Sequence, residues 1–194
     1  MGFGILVIGY LALFGMMPSY NVYISYASLI PIIGCLVLII ALQKLAPYGR
    51  LFDWSLKVSY VLLGIAGVGA LYEFGALEFL LTRTMGLAGW SYAYSIGIFA
   101  FKLLCLATFN TFLLNAISKL AESVGNKKLA YKSKRNLAFQ MIYYALAILA
   151  MFPIAGDFWG IFGLLIYIFG IVCFFLNLVT IYTAYMRIYL GDEA

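Results

Sequence analysis

The chain contains no histidine, which removes the commonest general base and the commonest metal ligand at once. Charge is scarce too. Lys, Arg, Asp and Glu make up 10% of 194 residues, too little to give a fold a water-facing shell. Cysteine is limited to Cys35, Cys105 and Cys173, an odd set lying inside apolar runs. They read as small buried thiols and not as a disulfide framework. The patterns HExxH, CxxC, Walker A, GxSxG and a GxGxxG between strand and helix are all missing. Glu73 and Glu78, five apart, do not share a helix face, so they do not form a carboxylate pair. No catalytic residue, metal site or cofactor is therefore expected, and the protein is not expected to be an enzyme.

What is present is apolar. Hydrophobic residues make up 66% of the chain and the mean hydropathy is +1.06, the composition of a protein surrounded by lipid. Six candidate spans stand out at 2–16, 26–45, 58–80, 93–117, 137–155 and 158–186. The first becomes a full crossing only if Met17 to Tyr23 extends it past Pro18, so five spans are the alternative. The expected fold is all-α, a polytopic helical bundle forming one membrane domain over 1–194. Met1 to Met16 has no Lys or Arg ahead of its apolar run and no small-residue cleavage site, and so does not read as a secretory signal. Leu6 stands where a myristoylation motif wants Ser or Thr.

Charge sets the orientation. With the N-terminus inside, the inner segments hold Lys44, Arg50, Lys57, Lys119, Lys127, Lys128, Lys132, Lys134, Arg135 and Arg187. Asp53, Glu122, Asp192 and Glu193 accompany them, leaving a net of +6. The other segments carry Arg83 and Lys102 against Glu73, Glu78 and Asp157, a net of −1, which completes the overall +5. Short Lys/Arg-rich loops stay in the cytoplasm, so both termini are expected there. Tyr20, Tyr23, Tyr26, Trp90, Tyr92, Tyr94 and Trp159 fall at the expected outer boundary. Trp54, Tyr182, Tyr185 and Tyr189 fall at the inner one, where amphipathic rings anchor at headgroup depth.

Breaks along the chain are short. Ala46-Pro47-Tyr48-Gly49 ends the second span, because Pro removes a donor and Gly relaxes the backbone. Asp157 is a natural N-cap for the last helix. Pro31 and Pro153 lie near outer span ends, where a kink is cheaper than at the centre. Gly64, Ala66, Gly67, Gly69 and Ala70 crowd two turns of the third span. They would admit another helix closely, within the chain or across a homodimer.

Two constellations rise above this background. The first is the connection 118–136, with a Gly125-Asn126 turn between good helix formers. It predicts an αα-hairpin running about two turns beyond the membrane, with Lys119, Lys127, Lys128, Lys132, Lys134 and Arg135 against Glu122. On the returning helix Lys128, Lys132 and Arg135 share one face, and Lys127 and Lys134 another. Inside-positive bias and anionic headgroups account for much of this charge. The sharper reading is a docking surface for an acidic cytoplasmic partner, a protein or a structured RNA, with Asn126, Tyr131, Asn136 and Gln140 as the nearby groups able to read bases.

The second is polarity within the membrane. Glu73 and Lys102 lie about 10 and 13 Å in from the outer ends of adjacent antiparallel spans, so they can pair. Thr108, Thr111 and Asn115 form a polar stripe on the fourth span, while Asn110 points elsewhere and Asn177 falls in the last. Together Glu73, Lys102, Thr108, Thr111 and Asn115 make up an alternative site for passage of a small solute or ion.

The stretches Pro31-Ile32-Ile33-Gly34 through Leu42-Gln43-Lys44-Leu45, Ala121-Glu122-Ser123-Val124-Gly125 and Lys127-Lys128-Leu129-Ala130-Tyr131-Lys132-Ser133-Lys134-Arg135 resemble small polytopic membrane proteins of low-GC Gram-positive bacteria. The likeness covers about a third of the chain and implies a bacterial inner membrane. One class of similar size and basicity is the membrane protein that binds the large OLE RNA, which would make the acidic partner an RNA. The six-span layout is also similar to the substrate-binding subunits of energy-coupling-factor vitamin transporters. The AxxxA signature those carry in their first helix is missing from Gly2 to Met16.

Overall fold

Inside lipid a backbone must satisfy its own polar groups, and a helix does this within a single segment. A computed structural model describes residues 2–13, 29–73, 91–150 and 158–188, and these are helical with no strand among them. The helices are α1 (Gly2–Ala12), α2 (Leu29–Leu45), α3 (Arg50–Glu73), α4 (Ser91–Ser123), α5 (Lys127–Leu149) and α6 (Phe158–Arg187). Among the described residues, four segments are long and apolar enough to cross a membrane: Leu29–Tyr48, Arg50–Leu71, Ala100–Ser123 and Ile161–Arg187. Of the six crossings expected, α1 offers 11 residues, fewer than the roughly 20 a span needs. α5 carries Lys127 to Arg135 on the same unbroken rod as its apolar half.

Interhelical contacts fix the layout. Each helix packs on its sequence neighbours, and α6 returns to α1, closing a six-membered ring. Directions alternate around it. Gly9 lies on Leu38 and Gly34 on Ala12, so α1 and α2 run antiparallel. Ser118 bonds the Ala130 carbonyl while Thr111 reaches Met141, so α4 and α5 do too. Gln140 meets Asn177 and Tyr143 meets Gly170, so α5 and α6 are antiparallel as well. One end of the ring therefore collects the start of α1, the α2–α3 and α4–α5 turns, and the end of α6.

Close approach depends on glycine at specific seams. A Cβ at Gly34 would sit 2.6 Å from Ala12 Cβ, and one at Gly170 would sit 2.5 Å from the Tyr143 ring. The small-residue stretch of α3 divides instead. Ala66 and Ala70 are buried in the bundle, whereas a Cβ at Gly64 or Gly67 would meet nothing within 4 Å. The outer surface is apolar, with Ile33, Ile40, Leu104, Ile161 and Leu165 about half exposed or more. That is a face suited to acyl chains and not to water.

Expectations for Pro18, Tyr20, Tyr23, Tyr26, Glu78, Arg83, Trp90, Pro153, Asp157, Tyr189, Asp192 and Glu193 lie outside the described residues. So do the side chains of Glu73, Tyr92, Tyr94 and Trp159.

Candidate functional site

The α4–α5 hairpin is built by local rules. α4 ends in a Schellman arrangement: Asn126 N–H donates to the Ala121 carbonyl at 2.8 Å and Gly125 N–H to Glu122 at 3.0 Å. Gly125 takes φ +76°, the left-handed value that favours glycine there. Asn126 then caps α5, its side chain accepting from Leu129 N–H at 3.1 Å. Leu129, Ala130 and Ser133 face α4, leaving the basic residues on the two flanks. Lys134 pairs with Glu122 at 2.8 Å. Lys119, Lys127, Lys128, Lys132 and Arg135 have no ion pair among the described residues, and all but the half-buried Lys132 are exposed. Arg135 lies over the Phe139 ring at 5.9 Å.

Lys44, Arg50, Lys57 and Arg187 occupy the same end of the ring, each exposed. Asp53 answers Lys57 at 2.8 Å, and Trp54 lies beneath that ammonium at 4.9 Å. The result is a basic rim of ten cations with two described carboxylates, both already paired.

Of the groups proposed to read bases, Tyr131 alone stands out in the open, at 68% exposure. Asn126 is occupied as a cap. Asn136 and Gln140 are 3% and 1% exposed, because the core-facing stripe of α5 passes through them. The hairpin offers charge and one aromatic ring, a surface suited to recognising polyanions by field and shape.

The intramembrane stripe lies on a partly exposed flank of α4, beside α5. Thr108 is exposed and donates to its own Leu104 carbonyl at 2.8 Å. Thr111 donates to Ala107 at 2.8 Å and lies 3.6 Å from Met141 sulfur. Such back-bonding satisfies a hydroxyl within its own helix. Asn115 and Lys102 are half-buried, and Lys102 is engaged in a contact.

The polar groups that do converge are others. Tyr10 of α1 donates to Asn110 Oδ1 of α4 at 2.8 Å, and Asn110 donates to the Tyr144 hydroxyl of α5 at 2.8 Å. Asn177 of α6 donates to the Tyr10 hydroxyl at 3.0 Å and to Gln140 Oε1 at 2.8 Å. Nearer the basic end, Asn136 donates to Thr180 Oγ1, and Ser133 to the Leu114 carbonyl. Every member of this cluster is 4% exposed or less. It holds four helices in one register, as interhelical hydrogen bonds do in membranes.

No known protein family, curated protein or solved structure matches the chain. Function must therefore be argued from these two features.

One signal in the sequence marks the cluster. Ser133, Asn136, Gln140 and Tyr144 recur at i, i+3, i+7 and i+11, a polar stripe on one face of α5.

Proposed function

We propose that the chain is a non-catalytic protein of a bacterial cytoplasmic membrane, crossing six times with both ends inside. It holds an acidic cytoplasmic partner at the membrane through the Lys119–Arg135 hairpin. The observation that carries this reading is the set of five cations without ion pairs among the described residues, on a capped hairpin at the end of the bundle where the inner basic residues gather. The burial of Asn136 and Gln140 argues for recognition by charge, so the partner is an acidic protein surface or an RNA phosphate backbone. The resemblance to small membrane proteins of low-GC Gram-positive bacteria supports the membrane assigned. Nanodisc-embedded protein titrated with a short RNA duplex and with polyglutamate tests the reading. Equal weak binding of both by native protein and by the Lys128→Gln, Lys132→Gln, Arg135→Gln variant would end it.

A second reading, passage of a small solute, has one observation in its favour: the polar cluster enclosed by α1, α4, α5 and α6. Glycerol uptake into proteoliposomes, native against Glu73→Gln, against Asn177→Leu within the cluster and against protein-free vesicles, tests it. Rates equal to those of protein-free vesicles would dispose of it.

A further inference from the structure

The hydrogens of the buried cluster can be followed one by one. Asn110 Nδ2 donates to the Leu106 carbonyl at 3.0 Å and to the Tyr144 hydroxyl at 2.8 Å, so its Oδ1 must accept. Tyr10 gives its single O–H hydrogen to that oxygen. Its own oxygen can then only accept, and it does so from Asn177 Nδ2. The second Asn177 N–H goes to Gln140 Oε1. One turn away, Thr180 gives its hydrogen to the Leu176 carbonyl at 3.0 Å. It can therefore only accept from Asn136 Nδ2, which also donates to Leu176 at 2.9 Å. Each amide is thereby oriented, since turning one around sets donor against donor or acceptor against acceptor.

Three groups remain over. Asn136 Oδ1, Gln140 Nε2 and Asn177 Oδ1 are sealed from solvent and complete no well-formed hydrogen bond among the described residues, the Gln140 amide facing the Tyr144 hydroxyl. Asn136 and Gln140 occupy successive turns of α5, and both bond into the same stretch of α6. Buried amide groups are almost always paired, and three orphans on one seam point to something bonded to them. Two acceptor oxygens and an amide nitrogen, with the Tyr144 O–H beside them, define the complement: a group with hydrogens to give to the oxygens and lone pairs to offer to the donors. A cation would suit the two oxygens but not the neighbouring N–H. An anion would suit the N–H but not the oxygens. No charged side chain belongs to the cluster, so the occupant is neutral.

We propose that the α5–α6 seam at Asn136, Gln140 and Asn177 is a buried binding site for a neutral hydroxyl ligand. Two sources share this chemistry. Water supplies two donors and a lone pair in one molecule, and a small polyol supplies them from adjacent hydroxyls. The inference rests on the same cluster as the solute reading but does not depend on it.

Native protein, purified without glycerol or sugars and reconstituted in nanodiscs, is taken to a structure that resolves ordered waters. The expected result is density within hydrogen-bonding distance of all three groups. A single isolated peak that added glycerol does not replace identifies water, upholding the site and leaving the solute reading to the glycerol-uptake assay. Extended density, matched in native mass spectrometry by a bound mass that added glycerol displaces, identifies a polyol. In Asn136→Leu the peak is expected to vanish while the Tyr10–Asn110–Asn177 bonds persist. A seam in which the three groups pair with protein and enclose nothing overturns the proposal, as does a peak that survives Asn136→Leu unchanged. An empty seam leaves the solute reading to the glycerol-uptake assay.

Discussion

Removing charge from the hairpin should change how its binding responds to salt, and the structure says by how much. Each basic residue that neutralises a phosphate of a duplex contributes about 0.9 to the slope of log affinity against log salt. Five cations without ion pairs among the described residues, Lys119, Lys127, Lys128, Lys132 and Arg135, give a slope near −4.5 by that coefficient. A rise from 50 to 200 mM salt should then weaken binding roughly 500-fold. Replacing Lys128, Lys132 and Arg135 with Gln leaves two such cations, a slope of about −1.8 and a loss of roughly 12-fold over the same range. Lys134 is excluded because Glu122 holds it at 2.8 Å. This exclusion supplies the sharpest arm. Glu122→Gln frees Lys134 and should steepen the slope by about 0.9, strengthening binding at low salt. Fluorescence anisotropy of a labelled RNA duplex against nanodisc-embedded protein reads all three slopes. A slope unmoved by the triple replacement, or weaker binding in Glu122→Gln, would refute the assignment of these cations to the surface.

The remaining predictions concern the bundle that carries the hairpin, and thermal unfolding in detergent reads each of them. Asn126→Ala removes the cap on Leu129 N–H and should cost about 1 kcal/mol, without altering the salt slope beyond what fraying of the hairpin explains. Gly34→Val drives a side chain into Ala12 of α1 and should cost about 1–3 kcal/mol, whereas Gly67→Ala, whose Cβ meets nothing, should be neutral or stabilising by about 0.5–1 kcal/mol. Asn177→Leu breaks the bonds to Tyr10 and Gln140. At about 0.6 kcal/mol per interhelical bond in a membrane, with an orphaned Gln140 oxygen adding about 1–3 kcal/mol, it should cost roughly 2–4 kcal/mol. A more stable Asn177→Leu protein would mean that those bonds contribute nothing to the bundle.

Long continuous apolar runs made the helical architecture legible, because a barrel strand in lipid alternates apolar and polar residues whereas a spanning helix is apolar throughout. The hairpin was equally legible: Gly125 and Asn126 are residues whose local chemistry requires a turn and a cap wherever they fall between helix formers. The close helix contacts were not. Small-residue spacing drew attention to α3, whose Ala66 and Ala70 are buried in the bundle while Gly64 and Gly67 stand open, but it did not mark the tight seams at Gly9–Leu38, Gly34–Ala12 and Gly170–Tyr143. Glycine spacing records that a helix could approach, while the partner is chosen by tertiary packing far along the chain.

Polar residues on α4 pose the same problem more sharply, because Thr108 and Asn110 are two positions apart and have opposite fates. A threonine hydroxyl can return to the carbonyl four residues back, as Thr108 and Thr111 do, and so can face the outer side without an unmet hydrogen bond. An asparagine amide has more groups than its own helix can satisfy. Asn110 gives one N–H to Leu106 and must find partners elsewhere for the other N–H and for its oxygen. In a membrane that requirement draws a carboxamide such as Asn110 inward, toward other helices, although Asn115 stays half-buried, and leaves the Thr108 and Thr111 hydroxyls indifferent. Position on the helical wheel should therefore be weighted by hydrogen-bonding valence when intramembrane sites are sought. On that rule Asn110, Asn136, Gln140 and Asn177 come ahead of Thr108 and Thr111, and the hydroxyl-binding seam begins where their combined valence exceeds what the helices supply.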